Sequence, residues 1–276
     1  MGDVPLIALV ALDLDGTLLG PDDGVSAANR RAIQATLELG VRVVLVTGRG
    51  VDFPARLARE LDLQLPVICA HGALTQDFVT GRVLGHIPVP LQYARPMVEF
   101  AERHRLEVGV YVGERFYRLE GTNPYMEDMV GPHWVDVPSL AALLGEAPTF
   151  VRFLGRRSVE AMRAEFSDLP LHFKYETWGD FEECAVTSLE ATKENALARL
   201  CADLNIPPRA VLAIGDSPND VPMLRWAGLG VAMANAPEGV RSAAGFVTAG
   251  NGEDGVAAAI ERFVLDPGGK SSRRSA

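Results

Sequence analysis

The chain has 276 residues, 48% hydrophobic and 22% charged, with a formal net charge of -10. That describes a globular chain large enough for one large domain or two modest ones, and it argues against nucleic acid or an anionic membrane as the main partner. Its longest apolar run, Pro5 to Leu12, is too short to span a bilayer, and "MGDVP" lacks the basic start of a signal peptide. Cys69, Cys184 and Cys201 are odd in number and widely spaced, which reads as three buried free thiols in a reducing, cytoplasmic setting.

In chain order, "LIALVALDLD" reads as a strand and "SAANRRAIQATLELG" as a helix capped by Ser26 and stopped at Gly40. "VRVVLVTG" is a valine-rich strand. "VDFPARLARELDL" is a helix that tolerates Pro54 only in its first turn, and "PVICAHG" is a third strand. Apolar strands alternating with helices predict a parallel sheet covered on both faces. The middle of the chain changes character. "ALTQDFVTGRVLGHIPV" suggests a hairpin turning at Thr80-Gly81, followed by a helix from about Leu91 to Arg105. "VGVYVG", "RFYRLEG", "TFVRFLG", "LHFKYETW" and "FEECAVT" are strands, "SVEAMRAEFSD" is a helix, and residues 122–148 look irregular. This mixture predicts an α+β insertion over 83–184, between two parts of one core at 1–82 and 185–266. The strand–helix pattern then returns in "KENALARLCADLNI", "AVLAIGDS", "NDVPMLRWAG", "LGVAMANA" and "DGVAAAIERFVL". The polar tail, residues 267–276, is expected to be disordered.

Chemistry-bearing residues collect where strands end. Asp13 and Asp15, two apart, are expected to face the same way, and two such acids call for a cation or a shared proton. A carboxylate is also a competent nucleophile towards phosphorus. Gly16 permits a tight turn there, and Thr17 offers a hydroxyl and an N–H to an oxyanion. "VTGRG" places Thr47, Gly48 and Arg49 at a strand-to-helix junction; it suits either an oxyanion cradle or ordinary capping by Thr47. Lys193 opens a helix directly after the insertion. In "IGDSPNDVPML", Asp216 and Asp220 can converge on one hard divalent cation, or Asn219-Asp220 can simply cap the next helix.

Taken together and in this order, "DLDGTLL", "TGR", Lys193 and "GDSPND" resemble the four motifs of the haloacid dehalogenase-like phosphohydrolases. "GVAMANAPEGV", Gly230 to Val240, is similar to the segment that follows the fourth motif in the Cof-type phosphatases, and the insertion matches their large α/β cap. The resemblance implies an α/β fold, a Rossmann-like parallel sheet core with helices on both faces plus an inserted α+β cap domain that closes over the site. It implies Mg²⁺-dependent hydrolysis of small phosphate monoesters, sugar phosphates or cofactor phosphates, through an aspartyl-phosphate. Asp13 would be the nucleophile and Asp15 the general acid and base. Asp13, the Asp15 backbone carbonyl and Asp216 would hold Mg²⁺, with Asp220 orienting metal-bound water. Thr47, Gly48, Lys193 and Asn219 would bind the phosphoryl oxygens.

Two positions depart from the family pattern. His71-Gly72 stands where Asn-Gly is usual, and Glu194 where Gly usually follows the Lys. His71 either contacts the substrate or simply fills the same turn. Arg49 is a possible substrate contact, as are the insertion residues Arg115, Arg118, Lys174, Tyr175 and Glu182. Two alternatives accompany this reading. One is a sugar-phosphate phosphomutase or phosphotransferase; the other is a non-catalytic phospho-accepting or ligand-binding module. The expected partner is a small phosphorylated metabolite, with the chain itself a monomer or homodimer.

Overall fold

A computed structural model describes residues 7–113, 115–121, 134–178 and 181–267. In chain order its strands are β1 (Leu9–Leu12), β2 (Arg42–Leu45), β3 (Val67–Cys69), β4 (Leu74–Gln76), β5 (Val83–His86), β6 (Val108–Val112) and β7 (Arg115–Leu119). There follow β8 (Trp134–Val137), β9 (Phe150–Leu154), β10 (Leu171–Trp178), β11 (Phe181–Ser188), β12 (Val211–Gly215), β13 (Leu229–Ala232) and β14 (Phe246–Val247). The helices are α1 (Ala27–Glu38), α2 (Asp52–Glu60), α3 (Leu91–Arg103), α4 (Arg156–Phe166), α5 (Lys193–Asp203), α6 (Val221–Trp226), α7 (Glu238–Arg241) and α8 (Gly255–Ile260). The local signals act as expected. Ser26 Oγ accepts from Asn29 N–H at 3.1 Å to cap α1, Gly40 follows its end at φ +77°, and Pro54 sits in the first turn of α2. Among the described residues, no helix is long and apolar enough to cross a membrane.

The chain divides into two compact units, residues 1–85 with 192–276 and residues 86–191. The first is built on a five-stranded, wholly parallel sheet of order β14-β13-β12-β1-β2. β1 is an interior strand between β2 and β12, with Leu9 opposite Arg42 on one side and Val211 on the other. On one face Leu9, Ala11, Val44, Val211 and Ala213 pack with Ala196, Leu197 and Leu200 of α5 and Met223 and Leu224 of α6. Val10, Leu12, Val43, Leu45, Leu212 and Ile214 alternate onto the opposite face and are equally buried, while α1 packs against α8. Each such side chain contributes about 1.5–3 kcal/mol on burial. Burial on both faces is why these strands are continuous apolar runs rather than alternating ones.

β3 meets the end of the β2 strand through one parallel bridge, Val46–Ile68, and then pairs antiparallel with β4 in a small sheet of order β3-β4-β5. β5 pairs with β4, and its residues Val83–Gly85 belong with the first unit.

The second unit is a six-stranded sheet of order β10-β11-β9-β6-β7-β8 with α3 and α4. Ala94, Met97, Val98 and Ala101 of α3 and Val159, Met162 and Phe166 of α4 pack on Val108, Val110, Val151, Phe153, Cys184 and Val186. Residues 185–188 stay in this unit because β11 is paired along its length with β10 and over Glu183–Val186 with β9. One expectation is corrected. Residues 134–137, read as irregular, form β8, which runs parallel to β7 with Phe116 opposite Trp134 and Leu119 opposite Val137. Arg118 reaches across to Asp136, with Nε 2.5 Å from Oδ1, and its guanidinium lies 4.2 Å over the Trp134 ring. That long-range anchor has no local sequence signal. The rest of the irregular stretch up to residue 133, and the tail from residue 268, lie outside the described residues.

Candidate active site

The centre of the first unit's site is an ammonium held between carboxylates. Lys193 is the first residue of α5, whose start is capped by Thr192 accepting from Asn195 N–H at 3.0 Å. Its Nζ donates to Asp13 Oδ1 and to Asp220 Oδ1, both at 2.6 Å, and all three side chains are buried. Asp13 follows the last residue of β1, its N–H bonded to Ile214 O of the neighbouring strand. Asp216 follows Gly215, the end of β12, and receives the Thr17 hydroxyl on Oδ1 at 3.1 Å. Oxygens of Asp13, Asp216 and Asp220 lie within 4.8 Å of one another.

The electrostatics follow from this crowding. Burial, then the nearby Asp220, holds Asp13 well above the ordinary carboxylate range against the pull of Lys193. The same two causes raise Asp216 to about 6. Lys193 is pushed up in spite of its burial, because Asp13 and Asp220 favour its charge. Three carboxylates against one ammonium leave negative charge in excess, and every candidate donor is an oxygen. This is the donor set of a hard divalent cation.

Asp220 has the fewest lone pairs to spare. Its Oδ2 accepts from the N–H groups of Asp216 and Ser217 at 3.1 and 3.0 Å, and its Oδ1 accepts from Lys193. Gly215 is required here, since a Cβ would stand 2.6 Å from Asp220 Cγ.

Asp13 and Asp15 do not share a strand face. β1 stops at Leu12 and a helical turn begins at Leu14, interrupted by extended angles at Asp15 (φ -73°, ψ 120°) and a left-handed Gly16 (φ 76°), so the two acids do not continue one strand. Asp13 is buried, whereas the Asp15 side chain is 51% exposed and paired with Arg49. Arg49 Nε donates to both Asp15 oxygens at 3.0 Å, Nη2 also donates to Oδ1, and the guanidinium packs 4.2 Å over the Phe53 ring. The two acids coexist because each has its own cation.

Thr47 lies just beyond β2, fully buried, its hydroxyl accepting from Arg49 N–H at 3.0 Å. Gly48 is where a side chain would collide with the His71 ring. His71 is buried, in the left-handed region at φ 57°, with Nδ1 3.2 Å from Asn219 Nδ2. Asn219 Oδ1 accepts the Ser217 hydroxyl. Glu194, in the first turn of α5, is half-buried and sits favourably at the helix's positive end. The structure thus brings Asp13, Asp216, Asp220 and Lys193 into one cluster, groups His71 with Gly48 and Asn219, and sets Asp15 with Arg49.

The Thr17 hydroxyl, expected to serve an oxyanion, is given to Asp216. Sequence reasoning missed two contributors: Ser217 holds both Asn219 and Asp220, and Asn235 bonds Gly16 O at 2.8 Å. Only the last had a signal, its place in "GVAMANAPEGV". In the second unit, Arg118 pairs with Asp136, Glu182 accepts from Arg156 Nε at 3.0 Å, and Arg163 covers Tyr175 at 4.4 Å. Arg115 is exposed, and Lys174 on β10 is half-buried opposite Ala185.

A parallel sheet with acids, a lysine and a threonine gathered at its strand ends defines an α/β enzyme equipped for phosphoryl transfer. The family model for haloacid dehalogenase-like hydrolases matches residues 10–260, and the chain belongs to that family. It is a phosphoric monoester hydrolase. It is 30% identical to the phosphatase YwpJ of Bacillus subtilis over 277 residues, which cover 90% of this chain and 97% of that protein. It is 31% identical to the 5-amino-6-(5-phospho-D-ribitylamino)uracil phosphatase YcsE of the same organism, covering 94% of this chain and 96% of that one. A solved haloacid dehalogenase-like hydrolase from B. subtilis superposes with a TM-score of 0.80 at 27% identity, over 94% of this chain and all of that chain.

Proposed function

We propose that the chain is an Mg²⁺-dependent phosphatase of small soluble phosphate monoesters, sugar phosphates or cofactor phosphates, and that it works through a phosphoryl group carried on Asp13. The observation that carries this reading is Lys193 shared between buried Asp13 and Asp220 beside a third carboxylate, Asp216. The oxygen-only donor set and its excess negative charge fit Mg²⁺. Asp13, the Asp15 backbone carbonyl and Asp216 would hold the ion, while Asp220, its oxygens already engaged, would orient water beyond it. When bound, the ion neutralises charge on the cluster and polarises the phosphoryl group.

The chain's own groups then divide the work. The Asp13 carboxylate attacks phosphorus as the bond to the leaving oxygen breaks, and Asp15 delivers a proton to that oxygen. Asp15 next takes a proton from water, the water oxygen attacks phosphorus, and inorganic phosphate leaves with Asp13 restored. Lys193, Thr47, Gly48 N–H and Asn219 hold the non-bridging oxygens, so most of the acceleration is electrostatic. To donate its proton, Asp15 exchanges Arg49 for the leaving group, which makes Arg49 a partner of the acid before it can be a contact of the substrate. His71, packed on Gly48 and Asn219, borders the same oxygens. The similarity to a phosphatase of a phosphorylated ribityl compound supports the choice of small polyol or cofactor-type phosphates.

The test is phosphate release from a panel of sugar phosphates, a cofactor phosphate and an aryl phosphate, with Mg²⁺, with EDTA, and for Asp13→Asn. Release that needs Mg²⁺ and is lost in Asp13→Asn is expected. Metal-independent release, or an active Asp13→Asn, would overturn the mechanism.

A further inference from the structure

The segment "GVAMANAPEGV" takes no part in the chemistry above, yet one of its side chains reaches the nucleophile loop. Between Asp13 and Gly20 the backbone follows neither strand nor regular helix. Leu18 N–H bonds Asp13 O at 3.3 Å, Leu19 N–H bonds Leu14 O at 2.9 Å, and Asp15 and Gly16 depart from helical angles between them. A turn of this kind leaves carbonyls that its own ladder does not satisfy.

Two of those carbonyls are met by asparagines from distant loops. Asn235, in the turn after β13, donates Nδ2 to Gly16 O at 2.8 Å, and its Oδ1 accepts from the backbone N–H of Asn251 at 3.0 Å. Asn251, in the loop after β14, donates its own Nδ2 to Leu19 O at 2.9 Å. The amide orientations are unambiguous, since a carbonyl can only accept and an N–H can only donate. The loops are themselves held, by Ala236 N–H on Met233 O at 3.1 Å and by Gly250 N–H on Glu253 Oε2 at 3.2 Å.

We infer that Asn235 and Asn251 are positioning residues for the Asp13–Asp15 pair. Their role rests on the phosphatase reading of those two acids and on the geometry of the turn. Gly16 follows Asp15 directly, and its carbonyl lies in the peptide joining it to Thr17, so fixing that peptide restrains the Gly16 dihedrals on which the placement of Asp15 relative to the rest of the turn depends. On one side the loop is tied by the Thr17 hydroxyl to Asp216. On the other, Asn235 fixes the Gly16 carbonyl and Asn251 fixes Leu19, which closes the turn like a clasp between β1 and the loops after β13 and β14. Without the clasp the turn keeps its ladder bonds but gains freedom at Gly16, the residue with the least intrinsic restraint.

The experiment compares wild type with Asn235→Ala, Asn235→Asp and Asn251→Ala. One readout is steady-state hydrolysis of 4-nitrophenyl phosphate with Mg²⁺; the other is native-state amide exchange at Leu18 and Leu19. Asn235→Asp keeps the acceptor for Asn251 N–H but offers Gly16 O no donor, so it should behave as Asn235→Ala does. Both are expected to lose roughly ten- to a hundredfold in kcat with KM changed less than about twofold, the signature of misplacement rather than lost binding. Amide exchange at Leu18 and Leu19 should quicken by about fivefold or more while β1 and β12 stay protected. Asn251→Ala, which frees only the Leu19 end, should show the smaller loss. An Asn235→Ala variant with wild-type kcat, or one whose loss comes with unchanged exchange at Leu18 and Leu19, would overturn the inference. A wild type inert towards this compound with Mg²⁺ would instead end the phosphatase reading, and amide exchange alone would then decide the clasp.

Discussion

Replacing Asp216 by Asn should make the ion-free protein more stable while abolishing its turnover. Asp216 is ionised at neutral pH only against the opposition of burial and of Asp220, which raise it from the ordinary 3.8 to about 6. That rise corresponds to roughly 3 kcal/mol against the charged form, which solvent at this part-exposed side chain screens to about 1–3 kcal/mol. Asn keeps an oxygen for the Thr17 hydroxyl and removes the charge. The sign with pH is fixed by proton counting. Between 3.8 and about 6 the folded chain holds a proton on Asp216 that the unfolded chain has released. Acidification through that window therefore stabilises the wild type and erases the advantage of the variant, which is fully present only above it. Urea denaturation of both proteins in EDTA, at about pH 7.5 and about pH 4.5, measures the difference directly. Excess Mg²⁺ should reverse the order at the higher pH, because an ion at about a hundred times its Kd adds about 2.7 kcal/mol to the protein that binds it. A variant no more stable than wild type in EDTA near neutrality, or one whose advantage persists in acid, would refute the reasoning.

Three further outcomes are expected. Lys193→Met should destroy phosphate release and cost about 3–5 kcal/mol in the ion-free state, because Asp13 and Asp220 lose their shared counter-charge in a buried place; retained activity would count against its role. Gly72→Ala should destabilise by about 2 kcal/mol or more, since Gly72 sits at φ 96° and a methyl there would overlap the backbone of Thr192, displacing the start of α5 and with it Lys193; thermal midpoint and kcat should fall together. Arg49→Ala should leave stability within about 1 kcal/mol, as expected for a part-exposed ion pair, but should change kcat by freeing Asp15, which melting curves and steady-state rates measured side by side would separate.

The parallel core and the members of the central cluster were readable because they depend on chain-local signals. Apolar strands ending in Gly and Asp, a threonine-capped helix start and the Asp216–Asp220 turn each announce themselves within a few residues. What stayed hidden depends on partners far along the chain. The placement of Asp15 against Arg49 requires knowing that β1 stops at Leu12, three residues before the end of the run "LIALVALDLD". β8 is held by Arg118 reaching Asp136, in a stretch whose prolines read as loop. The third apolar run contributes one bridge to the parallel strands and spends the rest of its pairing in a separate antiparallel sheet, a choice made by the hairpin after it. Asn235 was noticed as part of a pattern, but its bond to Gly16 spans 219 positions of chain, beyond any window of local reasoning.

The place of β1 between β2 and β12 has a consequence for how the protein is made. Its two neighbours arrive at very different times during synthesis: β2 follows within a few dozen residues, whereas β12 is translated only after the whole second unit. At ordinary elongation rates the gap is on the order of ten seconds or more. Throughout it, one edge of an apolar Leu-Val-Ala-Leu strand has no partner, the kind of edge that invites pairing with other chains. The cluster is assembled from residues spread across that interval, Asp13 before it, Lys193 near its end and Asp216 and Asp220 after it, so an incomplete chain cannot build it. The growing protein is therefore most vulnerable while it is catalytically silent, and closure of the sheet by β12 ends both conditions together.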